Sequence, residues 1–328
     1  MTPLHFPFAS YWWLYLAFAA GVVVLVMADL GIFHRKVHAI GFREAAIGTA
    51  VWAALAMLFC LGFYVFAKAQ FGPAAGRQAG LEFLTGYLLE WSLSLDNMFV
   101  FIVIFGYFGV PARFQHRVLF YGILGALLFR ATFIALGAVL LKYAWMVILF
   151  GAFLILTGAR MLFSPERQVD LDRSRAIRLL RRLLPVSPNH AGQQFLARVN
   201  GRMLATPLLL TLACIEISDV LFAIDSVPAI FAVTREPLIV FTSNVFAILG
   251  LRSMYFLLAG AVGLFHYLSY GLALVLIFVG VKMAWWNDAT GGHFPLGISL
   301  GVIAGLLAGS IALSVAFPKT QPVPSRAE

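Results

Sequence analysis

The 328 residues are 62% hydrophobic and only 11% charged, a balance that excludes an ordinary soluble enzyme and points to a polytopic membrane protein. A formal charge of +9 would suggest nucleic acid as a partner in a soluble chain. Here Lys and Arg cluster between long apolar runs, where they act as topology signals, so no nucleic-acid partner is expected. Cys60 and Cys214 both lie inside apolar runs, which argues against a disulfide framework and against a thiolate metal site.

Nine membrane-length runs follow one another, at about 11–33, 44–68, 81–108, 118–141, 143–163, 204–233, 237–260, 264–287 and 296–317. The first is followed by His34-Arg35-Lys36 and reads as a retained span rather than a signal peptide. His34 and His38, four apart in that basic turn, read as surface histidines rather than as a metal pair. Basic residues follow spans one, three and five, which places those loops and the C-terminus in the cytoplasm and the N-terminus outside, as in a bacterial inner membrane. The expected organisation is an N-terminal two-helix segment (1–70), a three-helix unit (81–163), a basic cytoplasmic loop (164–203), a second three-helix unit (204–287), and a last helix with its tail (288–328).

Within the basic loop, Ile177, Leu180 and Leu184 share a helical face opposite the arginines, so a helix lying on the membrane surface is expected from Arg173 to Leu184. Asn200-Gly201, between Phe195-Leu196-Ala197-Arg198-Val199 and Arg202, is a hairpin-turn signal.

The chain repeats itself. Glu90 and Asp219 are 129 apart, as are Asp96 and Asp225. Arg130 matches Arg252, Arg160 matches Lys282 and Met161 matches Met283, all at an offset of 122. Three helices per unit is an odd number, so the two copies enter the membrane from opposite sides, an inverted repeat of the kind on which transporter sites are built.

With Glu216, one turn before Asp219, five acids lie at membrane depth. A charge at the bilayer centre costs about 2.5–3.5 kcal/mol, so something must offset five of them. The candidates are protons, water, a bound cation, and Arg130 and Arg252 as intramembrane counter-charges. On a regular helix Glu90 and Asn97 share a face, as do Asp219 and Ser226, whereas Asp96 and Asp225 point about 120° away. Pro228 removes the helix bond to the carbonyl of Ile224, so a break is expected in span six beside Asp225. Carboxylate, amide, hydroxyl and carbonyl oxygens are hard donors that favour Mg, Ca or Mn over copper and zinc. The expected metal-site residues are therefore Glu90, Asp96, Asn97, Glu216, Asp219, Asp225 and Ser226, with Asp96 and Asp225 central. Asp29, nearer the end of span one, reads as structural or gating.

Three runs carry a resemblance: Glu90-Trp91-Ser92-Leu93-Ser94-Leu95-Asp96-Asn97, Glu216-Ile217-Ser218-Asp219 through Asp225-Ser226-Val227-Pro228, and Thr242-Ser243-Asn244 through Gly250-Leu251-Arg252. They resemble the TerC family of integral membrane proteins, most closely its Alx-type branch. The resemblance covers nearly the whole chain and implies a manganese exporter whose intramembrane acids fall on Glu90, Asp96, Glu216, Asp219 and Asp225. Met98 stands where many members have Ala, a difference expected to alter packing only. The leading expectation is thus a secondary transporter for Mn²⁺, with no prosthetic group, coupled to protons and embedded in lipid. No nucleotide-binding loop is visible. The alternative is a non-transporting scaffold or assembly factor in which acids and arginines form structural ion pairs. An intramembrane hydrolase is the weakest reading, since no nucleophile motif accompanies the acids, and no enzymatic activity is expected.

Overall fold

The computed structural model describes residues 5–33, 40–141, 143–163, 194–199, 202–260, 267–286 and 295–317, with Asp96 and a few others described by backbone only. Nine helices among these residues are long and apolar enough to cross a membrane. They are α1 (Phe8–Phe33), α2 (Phe42–Phe71), α3 (Pro73–Tyr107), α4 (Ala112–Leu140), α5 (Ala144–Phe163), α6 (Pro207–Phe231), α7 (Pro237–Ala259), α8 (Leu268–Val281) and α9 (Leu296–Ala316). A π-helical turn, Lys282–Trp286, extends α8. The nine-span expectation is met. The helices of α3 and α4 begin earlier than hydropathy suggested, because Pro73 opens α3 at its first position and Pro111 caps α4.

One residue, Gly72, joins α2 to α3. Its φ of 92° lies in the left-handed region, which a side chain disfavours, and its amide donates to the Lys68 carbonyl. The chain therefore reverses within one turn and α2 lies along α3. The centre of the bundle is α7, whose apolar window is 89% buried, whereas that of α1 is 6% buried and leaves its sides to lipid. Around α7 pack α2, α3 and α4, while α6 packs on α4 and α3, α5 on α8, and α9 on α8 and α3.

The α5–α8 crossing depends on glycine. A Cβ on Gly158 would stand 2.6 Å from the Ala273 carbonyl oxygen and 2.8 Å from Ile277. A Cβ on Gly280 would stand 2.7 Å from the Gly151 carbonyl oxygen and 2.8 Å from Ile155. Backbone meets backbone there, as small residues allow between membrane helices.

Strands β1 (Leu196–Val199) and β2 (Arg202–Ala205) form the expected hairpin, with Leu196 opposite Ala205 and Val199 opposite Arg202. The hairpin leads directly into α6: the Thr206 amide donates to the Phe195 carbonyl, and its Oγ1 to that of Gln194. Phe195 is held edge-on by Tyr121 and lies under the Arg117 guanidinium, which ties the hairpin to the start of α4. The surface helix expected over 173–184 lies outside the described residues.

At the opposite end of α6, the turn to α7 holds the N-terminal segment. The amides of His5 and Phe6 donate to the Glu236 carboxylate, and Phe6 is buried against Phe63, Phe66 and Phe71. Burial pushes the Glu236 carboxyl above its ordinary range, although the two amides pull it the other way. In the same region Thr234 donates to Glu82, which Gln78 also reaches at 2.9 Å.

The break expected in α6 is absent. The helix runs unbroken through Pro228 to Phe231. The proline costs the one helix bond its missing N–H would make to the Ile224 carbonyl, and the helix continues past it, with the Ala232 amide donating to the Pro228 carbonyl. Every residue from Ser226 to Phe231 is buried, and that packing holds the segment helical. Consequently no unwound backbone presents carbonyls beside Asp225.

A candidate charged site inside the bundle

Four helices bring charged and polar side chains to one place. Glu90, on α3, has no exposed surface and forms an ion pair with Arg130 from α4. Arg130 also donates from Nη1 to the Asn244 side-chain oxygen on α7, at 2.8 Å. Asn244 in turn donates from Nδ2 to the Val240 carbonyl at 2.9 Å, which fixes its amide with the oxygen toward the arginine. Asp219, on α6, is buried and within electrostatic reach of both Arg130 and Glu90.

This arrangement suits an ion pair that has left water. A lone buried carboxylate would be costly, and a second charge repays that only with good geometry and further hydrogen bonds. Asn244 supplies one of these to Arg130. Glu90 Oε1 also accepts from Ser94 at 3.5 Å, but Glu90 Oε2 is buried without a hydrogen-bond partner among the described residues. An acid oxygen left without a donor is suited to a proton, a water or a cation.

The other expected site residues divide. Glu216 is half-buried against Gly125 of α4, where even a Cβ would collide with its carboxylate, and its buried Oε2 has no partner among the described residues. Ser226 is buried with its Oγ likewise unpartnered among the described residues, and Asn97 is buried on α3. Asp225 is half-buried and accepts from the Thr157 hydroxyl of α5 at 3.4 Å, so it faces a different neighbour from Asp219. The backbone of Asp96 lies within α3, and its side chain is outside the described atoms. Among the described residues no three His, Cys, Asp or Glu side chains converge as a metal cluster. Arg252 is buried and lines a narrow cavity together with Asp219. The counter-charge expected of Arg130 is thus observed directly on Glu90.

Two participants escaped the sequence reading. Asn244 lies in one of the runs quoted above, yet an amide in an apolar helix lacks the charge that drew attention to the acids. Thr157 gives no signal, because a hydroxyl in a membrane helix can satisfy itself on its own backbone.

Nine membrane-length helices around buried acids and arginines define a polytopic α-helical membrane protein with a charged interior. The chain belongs to the integral membrane protein TerC family, which it matches over residues 75–322. It is 51% identical over 272 residues to "Uncharacterized membrane protein STKORF319" of Myxococcus xanthus, covering 83% of each chain. It is 44% identical over 285 residues to "Putative membrane-bound redox modulator Alx" of Escherichia coli K12, covering 86% of this chain and 88% of that one. An "Uncharacterized membrane protein" of Rickettsia felis is 39% identical over 270 residues, 82% of this chain and 87% of its own. No solved structure matches.

Proposed function

We propose that the protein is a secondary transporter that exports Mn²⁺ from the cytoplasm in exchange for protons. The observation that carries this reading is the buried group of Glu90, Arg130, Asn244 and Asp219, drawn from four helices at the centre of the bundle. Carboxylates that face an arginine in one state can face a cation in another, and that exchange is how a transporter avoids stranding charge in lipid. The oxygen-only donor set favours a hard divalent ion.

Two sets of contacts support the inverted-repeat frame that such a transporter uses. The pairings of α3 with α7 and α4 with α6 exchange when the first three-helix unit is mapped onto the second. The α5–α8 crossing does the same: Gly151, Ile155 and Gly158 map at 122 onto Ala273, Ile277 and Gly280, and their mutual contacts interchange. These reciprocal carbonyl-to-Cβ approaches support a repeat over a chance match.

The relatives' name speaks of redox modulation. The chain's two cysteines, Cys60 on α2 and Cys214 buried in α6, are not joined in a disulfide. We therefore place the chemistry in the acids. A second reading, a scaffold held together by its internal ion pairs, is favoured by the complete burial of the Glu90–Arg130 pair.

Manganese flux into inside-out vesicles containing the purified protein separates the two. An imposed proton gradient, acid inside, is expected to drive Mn²⁺ uptake at several times the rate without it, with zinc and copper much slower. Flux equal to that of protein-free vesicles would leave the scaffold reading.

A further inference from the structure

The end of the bundle at which α2 turns into α3 carries a second polar group, apart from the one around Arg130. Glu82 comes from α3, Thr234 and Glu236 from the α6–α7 turn, and Lys282 from the end of α8. All four are buried, although three of them lie at helix ends, where water is normally close. Thr234 donates to Glu82 and accepts from the Glu236 amide, and Lys282 is within electrostatic reach of Glu82. Glu82, Gly86 and Glu90 stand on successive turns of α3, so this group lies about 12 Å along the helix from the charged site. Between the two, α3 is packed tightly on its neighbours. A Cβ on Gly86 would stand 3.0 Å from Ser243 Oγ and 3.1 Å from Ile230.

The N-terminal segment is fastened over Glu236. Residues 5–10 bend away from the rest of α1 at Tyr11, whose φ of −119° and ψ of 21° interrupt the helix. Two features hold them. The Glu236 carboxylate accepts the amides of His5 and Phe6, one on each oxygen. The Phe6 ring, 1% exposed, fills a socket of Phe63, Phe66 and Phe71. The segment therefore joins α1, which lies largely at the edge of the bundle, to the cap of α7, its most buried helix. Both oxygens of a carboxylate accept, so the grip depends on the acid. An amide in its place would present a donor to one of the two N–H groups.

We propose that residues 5–11 are a strap that latches this end of the bundle over the charged site, with Glu236 as its catch and Phe6 as its plug. Opening the site toward this end requires the strap to let go. The purpose of the strap rests on the transport reading, but its release is a conformational event that is measured without flux.

The test uses the full chain in nanodiscs, with both faces open to reagent and with Cys60→Ser and Cys214→Ala as background. A single cysteine is introduced by Leu238→Cys, two residues after Glu236 and buried in the same cluster as Phe6, or by Met254→Cys, buried toward the other end of α7. The probe is a trimethylammonium methanethiosulfonate, and the readout is the rate of thiol modification. Adding Glu236→Gln should raise the rate at Leu238→Cys at least tenfold and leave that at Met254→Cys unchanged. Should Glu236→Gln fail to fold, Phe6→Ala makes the same comparison. No acceleration overturns the latch. Equal acceleration at both positions overturns it as well, because the whole bundle would then have loosened.

Tying the strap down tests its link to transport. The rings of His5 and Phe71 meet edge-on with centroids 5.4 Å apart, and the His5 contact with Glu236 runs through the backbone amide, so His5→Cys with Phe71→Cys leaves the catch in place. Joining the two thiols with dibromobimane should cut Mn²⁺ flux in vesicles at least tenfold relative to His5→Cys alone treated in the same way. Undiminished flux through the cross-linked protein overturns the gate. If the parent protein carries no manganese flux, the manganese reading falls and the thiol rates alone decide the strap.

Discussion

Arg130 is the residue on which the charge balance around Glu90 turns, since it joins Glu90, Asn244 and the field at Asp219. Removing one partner of a buried pair leaves the other charge uncompensated, at about 3–5 kcal/mol, whereas removing both is far milder. Arg130→Met should therefore lower the thermal stability of the detergent-purified protein sharply. Glu90→Gln combined with Arg130→Met should recover most of it while transport stays lost. Equal instability of single and double variants would mean that the arginine matters for packing rather than for charge. Asp225 is a different case. Asp225→Asn keeps its volume and an oxygen for Thr157, so abundance should be normal while manganese export falls to background. Asp96→Asn is expected to behave likewise, and Asp29→Asn to be milder. Normal export from both Asp225→Asn and Asp96→Asn would make these acids structural. The charged residues were legible in the sequence because each is expensive in a membrane helix. Asn244 and Thr157 were not, because neutral polar groups carry a small penalty that a neighbour or their own helix can remove.

Helix ends and crossings set the next scale. Glycine at the α5–α8 crossing brings carbonyl oxygens within Cβ distance, and a backbone cannot yield as a side-chain tip can. Gly280→Ala is expected to cost about 1–3 kcal/mol, in the range of overpacking, and to lower the melting temperature. Gly62→Ala, at a glycine with nothing within 4 Å, should be neutral and serves as the control. Indistinguishable stabilities would mean that the crossing has room for the added methyl. The unbroken α6 teaches a related lesson. Pro228 was a sound reason to expect a break, since its ring removes a backbone bond. Burial of Ser226 through Phe231 outweighed it, and burial is a property of neighbours that the local sequence does not contain.

At the scale of the whole molecule, the bundle is graded from a nearly lipid-free α7 to an α1 that is almost wholly peripheral. The basic loops carry the expectation for its orientation. Reporter fusions after Phe71, after Arg182 and at Glu328 are expected to read outside, inside and inside. An outside signal at Arg182 would put the two three-helix units in the same orientation and remove the inverted repeat.

The sequence by itself determined the class of protein, the nine spans, the hairpin and the acids and arginines, because hydropathy and intramembrane charge are local and carry large free energies. Only the tertiary structure decided which acid meets which arginine, that Asn244 holds Arg130, that Asp225 turns to Thr157, and that Asp219 and Arg252 line one small cavity. These depend on how helices rotate and approach, which is settled by side-chain packing summed over several elements and is written in no single stretch of the chain.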